Sequence, residues 1–407
     1  MTEKYDVIVV GAGPAGSMAA MRAAEGGAKT LILEKHSLPR FKLCGGGIAN
    51  WIVRYLDIPD EVLERQYKVL SFFTPPDYER HDINLGGLGY FGVYRDAFDY
   101  ALTKLALGKG AELRENKHVD GVVREEGYVK GVTTRDGEKY LADVVIACDG
   151  AISTVAKACG MWDVWFRKKG ETWKDQMCFC VGAEVRLGEK VIDERFGNTY
   201  MIFTGRDIAP MGYAWLFPKR ENVSVGLGSM AKTLEKKPTY YLNHFMKSHP
   251  VASKLLEGGE TVLLRGAWIP IRNAYKPSYD SGLLIAGDAA GMVSPITGEG
   301  VFYAVRAGMD AGVTAAEAVN TGDFSAGFLS KYQERWERSV GKFLDFQEQI
   351  FQNTVGKILS LEDEKEMDEQ YERGFIEAFE TFVSVVETYA QGKKELPKPA
   401  AQSKKDS

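Results

Sequence analysis

Basic residues do not dominate this chain: 51 lysines and arginines stand against 56 aspartates and glutamates, a formal net charge of −5 at pH 7. Without an excess of positive charge there is no electrostatic footprint for nucleic acid, which is excluded as a main partner. Cysteine is scarce. The five present (Cys44, Cys148, Cys159, Cys178 and Cys180) are odd in number and contain no CxxC spacing. That argues against a disulfide framework, an iron–sulfur cluster or a zinc site, and no metal is expected. No apolar run approaches the roughly eighteen residues of a membrane-spanning helix. The N-terminus lacks a basic segment followed by an apolar signal core, so a cytoplasmic location is expected, with peripheral binding at the inner face of the cell membrane left open.

What is present is a large core and strong landmarks. At 407 residues the chain has room for two domains or more. An apolar run, Val7 to Val10, leads into Gly11-Ala12-Gly13-Pro14-Ala15-Gly16, a small-residue helix, and a second apolar run ending at Glu34. This is a βαβ unit. Gly11 makes the tight turn, Gly13 lets backbone N–H groups approach a pyrophosphate, and Gly16 allows close packing of helix on strand. Glu34 stands at the distance where a carboxylate accepts the ribose hydroxyls of an adenosine. The turn alone does not say which dinucleotide it holds.

The loop that follows carries Lys35, Arg40, Lys42, Cys44 and three consecutive glycines, Gly45 to Gly47, which leave room for something to lie flat against the backbone. Arg40 and Lys42 are either solvated or bind an anionic group. The stretch Val93 to Asp99 is expected to start a helix running to about Leu107, with Asp96 as its cap. Strands broken by Pro75-Pro76 and Gly86-Gly87 precede it, and a strand ending at Cys148-Asp149-Gly150 comes later. In Gly212 to Pro218, period-two spacing puts Tyr213, Trp215 and Phe217 on one strand face. Cys178 and Cys180 share a strand face too and read as packing. Another buried strand delivers Gly287-Asp288, and the loop Pro295 to Gly300 opens a helix through Ala318. The last part is helical, and in it Phe375, Ile376, Phe379, Phe382, Val383 and Val386 form one apolar stripe. That stripe packs on the body or docks on a bilayer, aided by the lysines of the polar tail.

Gly11 to Gly16 with Glu34, Asp149-Gly150 with Ser153, and Gly287-Asp288 together resemble the flavoprotein superfamily of para-hydroxybenzoate hydroxylase fold, which binds FAD. The resemblance implies that Gly11, Gly13, Pro14, Ala15, Gly16, Glu34 and Lys35 serve the ADP half, with Arg40, Arg95, Asp149 and Gly150 around the pyrophosphate. Gly287-Asp288 would reach the ribityl chain. Pro295, Gly298, Glu299 and Gly300 would face the isoalloxazine, with Cys44 and Gly45 over the ring. Within the superfamily, Lys42-Leu43-Cys44-Gly45-Gly46-Gly47, Arg95-Asp96-Ala97-Phe98-Asp99 and Tyr213-Ala214-Trp215-Leu216-Phe217-Pro218 are similar to motifs of the geranylgeranyl reductase family.

That family resemblance implies saturation of isoprenoid C=C bonds by hydride from reduced flavin, on geranylgeranyl chains of a lipid, a diphosphate or a quinone. Cys44, Gly45 and Gly46 would be the catalytic loop, and Tyr213, Trp215 and Phe217 the substrate wall. The external reductant is NAD(P)H, reduced ferredoxin or a deazaflavin, so an electron-donor protein is one candidate partner. A flavin hydroxylase and a flavoprotein passing electrons to quinone are the alternatives on this scaffold. The expected fold is α/β: a Rossmann-like FAD domain (1–68, 95–170 and 275–322) with a mixed sheet, an inserted antiparallel-sheet substrate domain (69–94 and 171–274), a helical C-terminal region (323–391) and a disordered tail (392–407).

Overall fold

In a computed structural model of the chain, residues 3–85, 89–166, 172–271, 274–353, 370–371 and 373–381 are described. The first apolar run forms the strand Lys4–Val10 inside an eight-stranded mixed sheet. It pairs in parallel with Thr30–Leu33 on one side and Lys139–Ala147 on the other. Leu283–Ile285 adds in parallel beyond Lys139–Ala147. Both faces of such a sheet are covered, so Val7, Ile8 and Val9 are all fully buried and the run is continuously apolar rather than alternating. Each of these side chains contributes about 1.5–3 kcal/mol.

Because the three strands are parallel, their C-terminal ends Val10, Ala147 and Ile285 lie on one sheet edge. The three glycine landmarks follow directly from them. The helices Pro14–Glu25 and Val301–Thr321 reach the same edge. Gly308 and Gly312, one turn apart, press the second helix onto the first: a Cβ on either would overlap the carbonyl oxygen of Ala15 or Ala19 respectively. The matched spacing makes the two helices parallel, so both N-termini point at the edge where ligands of open α/β sheets bind.

The second sheet has seven strands in the order Glu260–Pro270, Met177–Arg186, Asn222–Met230, Gly212–Pro218, Thr199–Phe203, Val69–Phe73 and Arg80–Asn84. It is antiparallel except where Thr199–Phe203 runs parallel to Val69–Phe73. The expected insertion 69–94 divides. Its last strand, Tyr90–Val93, leaves this sheet and pairs with Gly47–Ala49 and Leu63–Tyr67 in a separate three-stranded one. The helix Arg95–Gly108 forms as expected, but its N-cap is Tyr94 and no side chain caps it. Asp96 lies inside the first turn, where its carboxylate meets only the neighbouring Ala97 N–H, so it is not the cap.

The C-terminal helices Ala326–Trp336 and Lys342–Phe351 are joined by the π-helical turn Glu337–Gly341, and residues 373–381 are helical again. Phe375 and Phe379, at 4% and 5% exposure, pack with Phe72 of the seven-stranded sheet. That part of the apolar stripe is therefore occupied by the body of the protein. Phe382, Val383, Val386, Gly86-Gly87 and the tail 392–407 lie outside the described residues. Among the described residues no helix is long and apolar enough to cross a membrane.

Candidate active site

One cavity of about 420 Å³ runs from the C-terminal edge of the first sheet onto the face of the second. Its first end is the glycine turn. A Cβ on Gly11 would come within 2.5 Å of the Cys148 carbonyl oxygen, and one on Gly16 would overlap the Gly11 carbonyl. Those two glycines are required by the protein's own packing. Gly13 differs: a Cβ there would meet only the Arg40 guanidinium, at 3.6 Å. The space before Gly13 is open, and the helix behind it starts without a side-chain cap or an acidic residue in its first turn. Its free N–H groups and positive dipole end form a cradle for an anion, which fits the pyrophosphate of a dinucleotide.

Glu34 braces this cradle. One carboxylate oxygen accepts the Ala12 N–H at 2.9 Å and the other the His36 N–H at 3.1 Å, with Arg40 Nε 3.5 Å away. A carboxylate has about four acceptor positions, so sites remain on the cavity side for ribose hydroxyls. Sequence places Asp99 in a motif without giving it a role; it is 1% exposed and joins the two arginines of the wall. It accepts from Arg95 Nε at 2.7 Å and Nη2 at 3.0 Å, and from Arg40 Nη1 at 3.3 Å. Its i, i+4 spacing from Arg95 on one helix was the available signal. Burial works against the Arg95 charge, but Asp99 and the Cys44 thiol more than offset it and raise the guanidinium's pKa.

Lys42 is half-buried on the cavity wall, where burial pulls its pKa down, opposed by Asp288 and aided by Arg95 and Arg40. Asp149 also lines the cavity, yet its carboxylate is engaged at a helix start, accepting from Ser153 Oγ at 2.6 Å and from the Thr154 and Val155 N–H groups at 2.7 and 3.1 Å. Burial raises its pKa while these bonds pull it back. Lys35, Pro14, Ala15, Gly150, Asp288, Gly298, Glu299 and Gly300 are on the wall. Three expected contacts are not: Gly16 lies under Gly11, Gly287 packs on Ala15 and Ala304, and Pro295 faces a smaller neighbouring cavity.

The other end is a row of rings beside a row of glycines. Tyr213, Trp215 and Phe217 line the cavity from one strand. Across the ladder stand Gly228, Gly226 and Ser224. A Cβ on Gly226 would overlap the indole of Trp215, so this glycine gives the ring its seat. Tyr200 stacks on Phe217 with ring centroids 3.6 Å apart. Phe379 closes the wall from the C-terminal helix.

The Cys-Gly-Gly loop lies across this sheet, and what lies flat on its glycines is the protein itself. A Cβ on Gly45 would overlap the Phe217 ring, one on Gly46 the Val93 carbonyl, and one on Gly47 would sit 2.8 Å from the Tyr200 ring. Ser224 Oγ reaches the Cys44 carbonyl at 3.4 Å, and Cys44 Sγ accepts the Gly46 N–H at 3.4 Å. Cys44 is thereby pinned on the cavity wall beside Arg95. Cys178 and Cys180 are buried with raised thiol pKa values, that of Cys180 pushed up to about 12 by burial first, and they behave as packing. Among the described residues no cluster of His, Cys, Asp and Glu could hold a metal ion.

A glycine cradle at a helix N-terminus and a paired-arginine wall form a dinucleotide site that opens, in the same cavity, onto an aromatic chamber. Residues 4–347 match the FAD binding domain family. A digeranylgeranylglycerophospholipid reductase of Methanococcus vannielii is 32% identical over 348 residues, 84% of this chain and 85% of that protein. The crystal structure of a geranylgeranyl bacteriochlorophyll reductase-like protein from Thermoplasma acidophilum superposes with a TM-score of 0.78 at 25% identity, covering 95% of this chain and 99% of that one. A flavin-dependent brominase shares the fold, with a TM-score of 0.65 at 18% identity over 96% of this chain and all of its own. The chain belongs to the geranylgeranyl reductase family of FAD-dependent oxidoreductases.

Proposed function

We propose that this protein saturates the isoprenoid C=C bonds of geranylgeranyl chains carried by a glycerophospholipid. The observation that carries this reading is the continuity of one cavity from the Gly13 cradle to the wall of Tyr213, Trp215 and Phe217. An isolated trisubstituted alkene offers no polar handle, so an enzyme that reduces it must hold it by shape and apolar contact while excluding water. The reduced flavin supplies the hydride when bound. Gly11, Gly13, Glu34, Arg40 and Arg95 hold its phosphate and ribose end. The loop Gly298 to Gly300, with the Gly298 and Glu299 N–H groups donated to Ser294 and Thr297 of the same loop, would border its ring, and Cys44, Gly45 and Gly46 would lie over the reacting face. Trp215 and Phe217 bound the chain.

Lipid delivery from a membrane surface and reduction by NAD(P)H, reduced ferredoxin or a reduced deazaflavin complete the reading. The donor that bleaches bound flavin under anaerobic conditions identifies itself, and flotation with anionic vesicles tests the membrane step. Extraction of the purified protein, with mass spectrometry of what it carries, tests the class of reaction. FAD together with a polyprenyl lipid is the expected result. Oxygen consumption coupled to a hydroxylated aromatic product would instead assign the hydroxylase chemistry of the same fold.

A further inference from the structure

Hydride addition to an alkene leaves a proton to be supplied, and the carboxylic acids that line the cavity are Glu34, Asp149, Asp288 and Glu299. Asp149 caps a helix, Glu34 accepts two backbone N–H groups, and Asp288 is coupled to Lys42, whose charged form it favours. Glu299 is different. It lies on the cavity wall in the loop that opens the helix Val301–Thr321, and its Oε1 is sealed from solvent with no hydrogen-bond partner among the described residues. A buried carboxylate oxygen without a donor is costly, whereas a protonated carboxyl is tolerated there.

The groups around Glu299 are phenols rather than cations. Tyr90 approaches from the three-stranded sheet, Tyr200 and Tyr213 from the seven-stranded sheet, and Tyr303 from the helix that the loop opens. All four are held neutral by burial, which raises their pKa values. The Tyr213 hydroxyl is spent on the Thr297 carbonyl at 2.5 Å, and the Tyr303 hydroxyl accepts from Gln347 Nε2 at 2.7 Å. No cation pairs with Glu299 among the described residues. Burial alone raises its pKa, to about 7.

Resting on the proposed function, we infer that Glu299 is the acid that protonates the substrate alkene. The π bond breaks; one carbon takes the hydride with both electrons from the reduced flavin, and its neighbour takes the Glu299 proton. The carboxylate left behind is reprotonated from water before the next turnover. Tyr200 and Tyr213, which line the same cavity, are the rings against which the alkene would lie.

Glu299→Gln keeps the shape and removes the proton. It is expected to bind FAD as the unaltered protein does and to lower single-turnover alkene reduction about 10²–10⁴-fold. An acid must carry its proton, so the unaltered rate is full below pH 7 and falls as pH rises through about 7. The variant loses that limb. A second readout needs no turnover: infrared titration of the oxidised holoenzyme is expected to show a protonated-carboxyl C=O band that disappears near neutral pH and is missing from Glu299→Gln. Absence of that band from the unaltered protein, or a variant with the same rate and the same pH limb, overturns the assignment. An unaltered protein that shows the band but reduces no isoprenoid lipid overturns the proposed function instead.

Discussion

Replacing Gly13 by valine is expected to leave the apoprotein folded and to weaken FAD binding at least about 100-fold, or about 2.8 kcal/mol. Gly13 sits at φ −81° and ψ −176°, an extended conformation that valine adopts without strain. Its Cβ would touch nothing nearer than the Arg40 guanidinium at 3.6 Å, so the folded chain has room for the first carbon of a side chain. The cofactor does not, because the added methyl groups would fill the space before the free N–H groups of the helix. Valine is also a poor N-cap, which costs about 1 kcal/mol and a few degrees of melting temperature. Gly16→Val is the contrast, since its Cβ collides with the Gly11 carbonyl and the fold itself is expected to fail. Thermal melts of the apoprotein and fluorescence titration with FAD separate the two outcomes. Full FAD affinity in Gly13→Val would show that the phosphates do not pass this residue.

Lys219→Met is expected to destabilise the protein by about 3–5 kcal/mol. The Lys219 side chain is 2% exposed, and its Nζ lies 2.6 Å from Glu184 Oε1 and over the Tyr94 ring at 4.2 Å from the centroid. Glu184 Oε2 has no partner among the described residues. Removing the cation therefore leaves a buried carboxylate uncompensated. The double variant Lys219→Met with Glu184→Gln removes both charges and is expected to recover most of the loss. Urea unfolding of the four proteins in the cycle measures it, and equal destabilisation of the single and double variants would refute a coupled pair. The pair supports the site as well: a Cβ on Gly46 would lie 3.5 Å from Lys219 Cε, so the ammonium stem props the Cys44 loop.

The positions of the landmarks were legible because local chemistry fixes them. A strand, a glycine turn and a helix in succession admit one arrangement, and three parallel strands bring three such turns to one edge. Period-two spacing put Tyr213, Trp215 and Phe217 on one face, and one face they share. Sequence could show that glycine was present but not what crowds it. Gly45 to Gly47 accommodate Phe217, Val93 and Tyr200 rather than leaving bare backbone, and Gly308 with Gly312 fix a helix contact. Partners far apart in the chain, from Gly46 with Val93 to Gly308 with Ala15, set these contacts. Tyr90–Val93 was assigned to the wrong sheet for a related reason, since its β-forming residues suit either sheet and pairing with Gly47–Ala49 is a tertiary choice. Charge state was least legible. The resemblance puts Glu299 at the flavin and sequence leaves Lys42 open, but how far each is withdrawn from water depends on the cavity around it.

Anaerobic single turnover puts the reductase reading at greatest risk. Dithionite-reduced holoenzyme, free of excess reductant, is mixed with vesicles of digeranylgeranylglycerophospholipid in D₂O, and the flavin spectrum and the mass of the extracted lipid are followed together. Flavin is expected to reoxidise without oxygen while the lipid gains two deuteriums per bond reduced, one from the solvent-exchanged acid and one from the flavin, whose transferred hydrogen dithionite reduction draws from solvent. Flavin that stays reduced until oxygen is admitted, with lipid of unchanged mass, would contradict it.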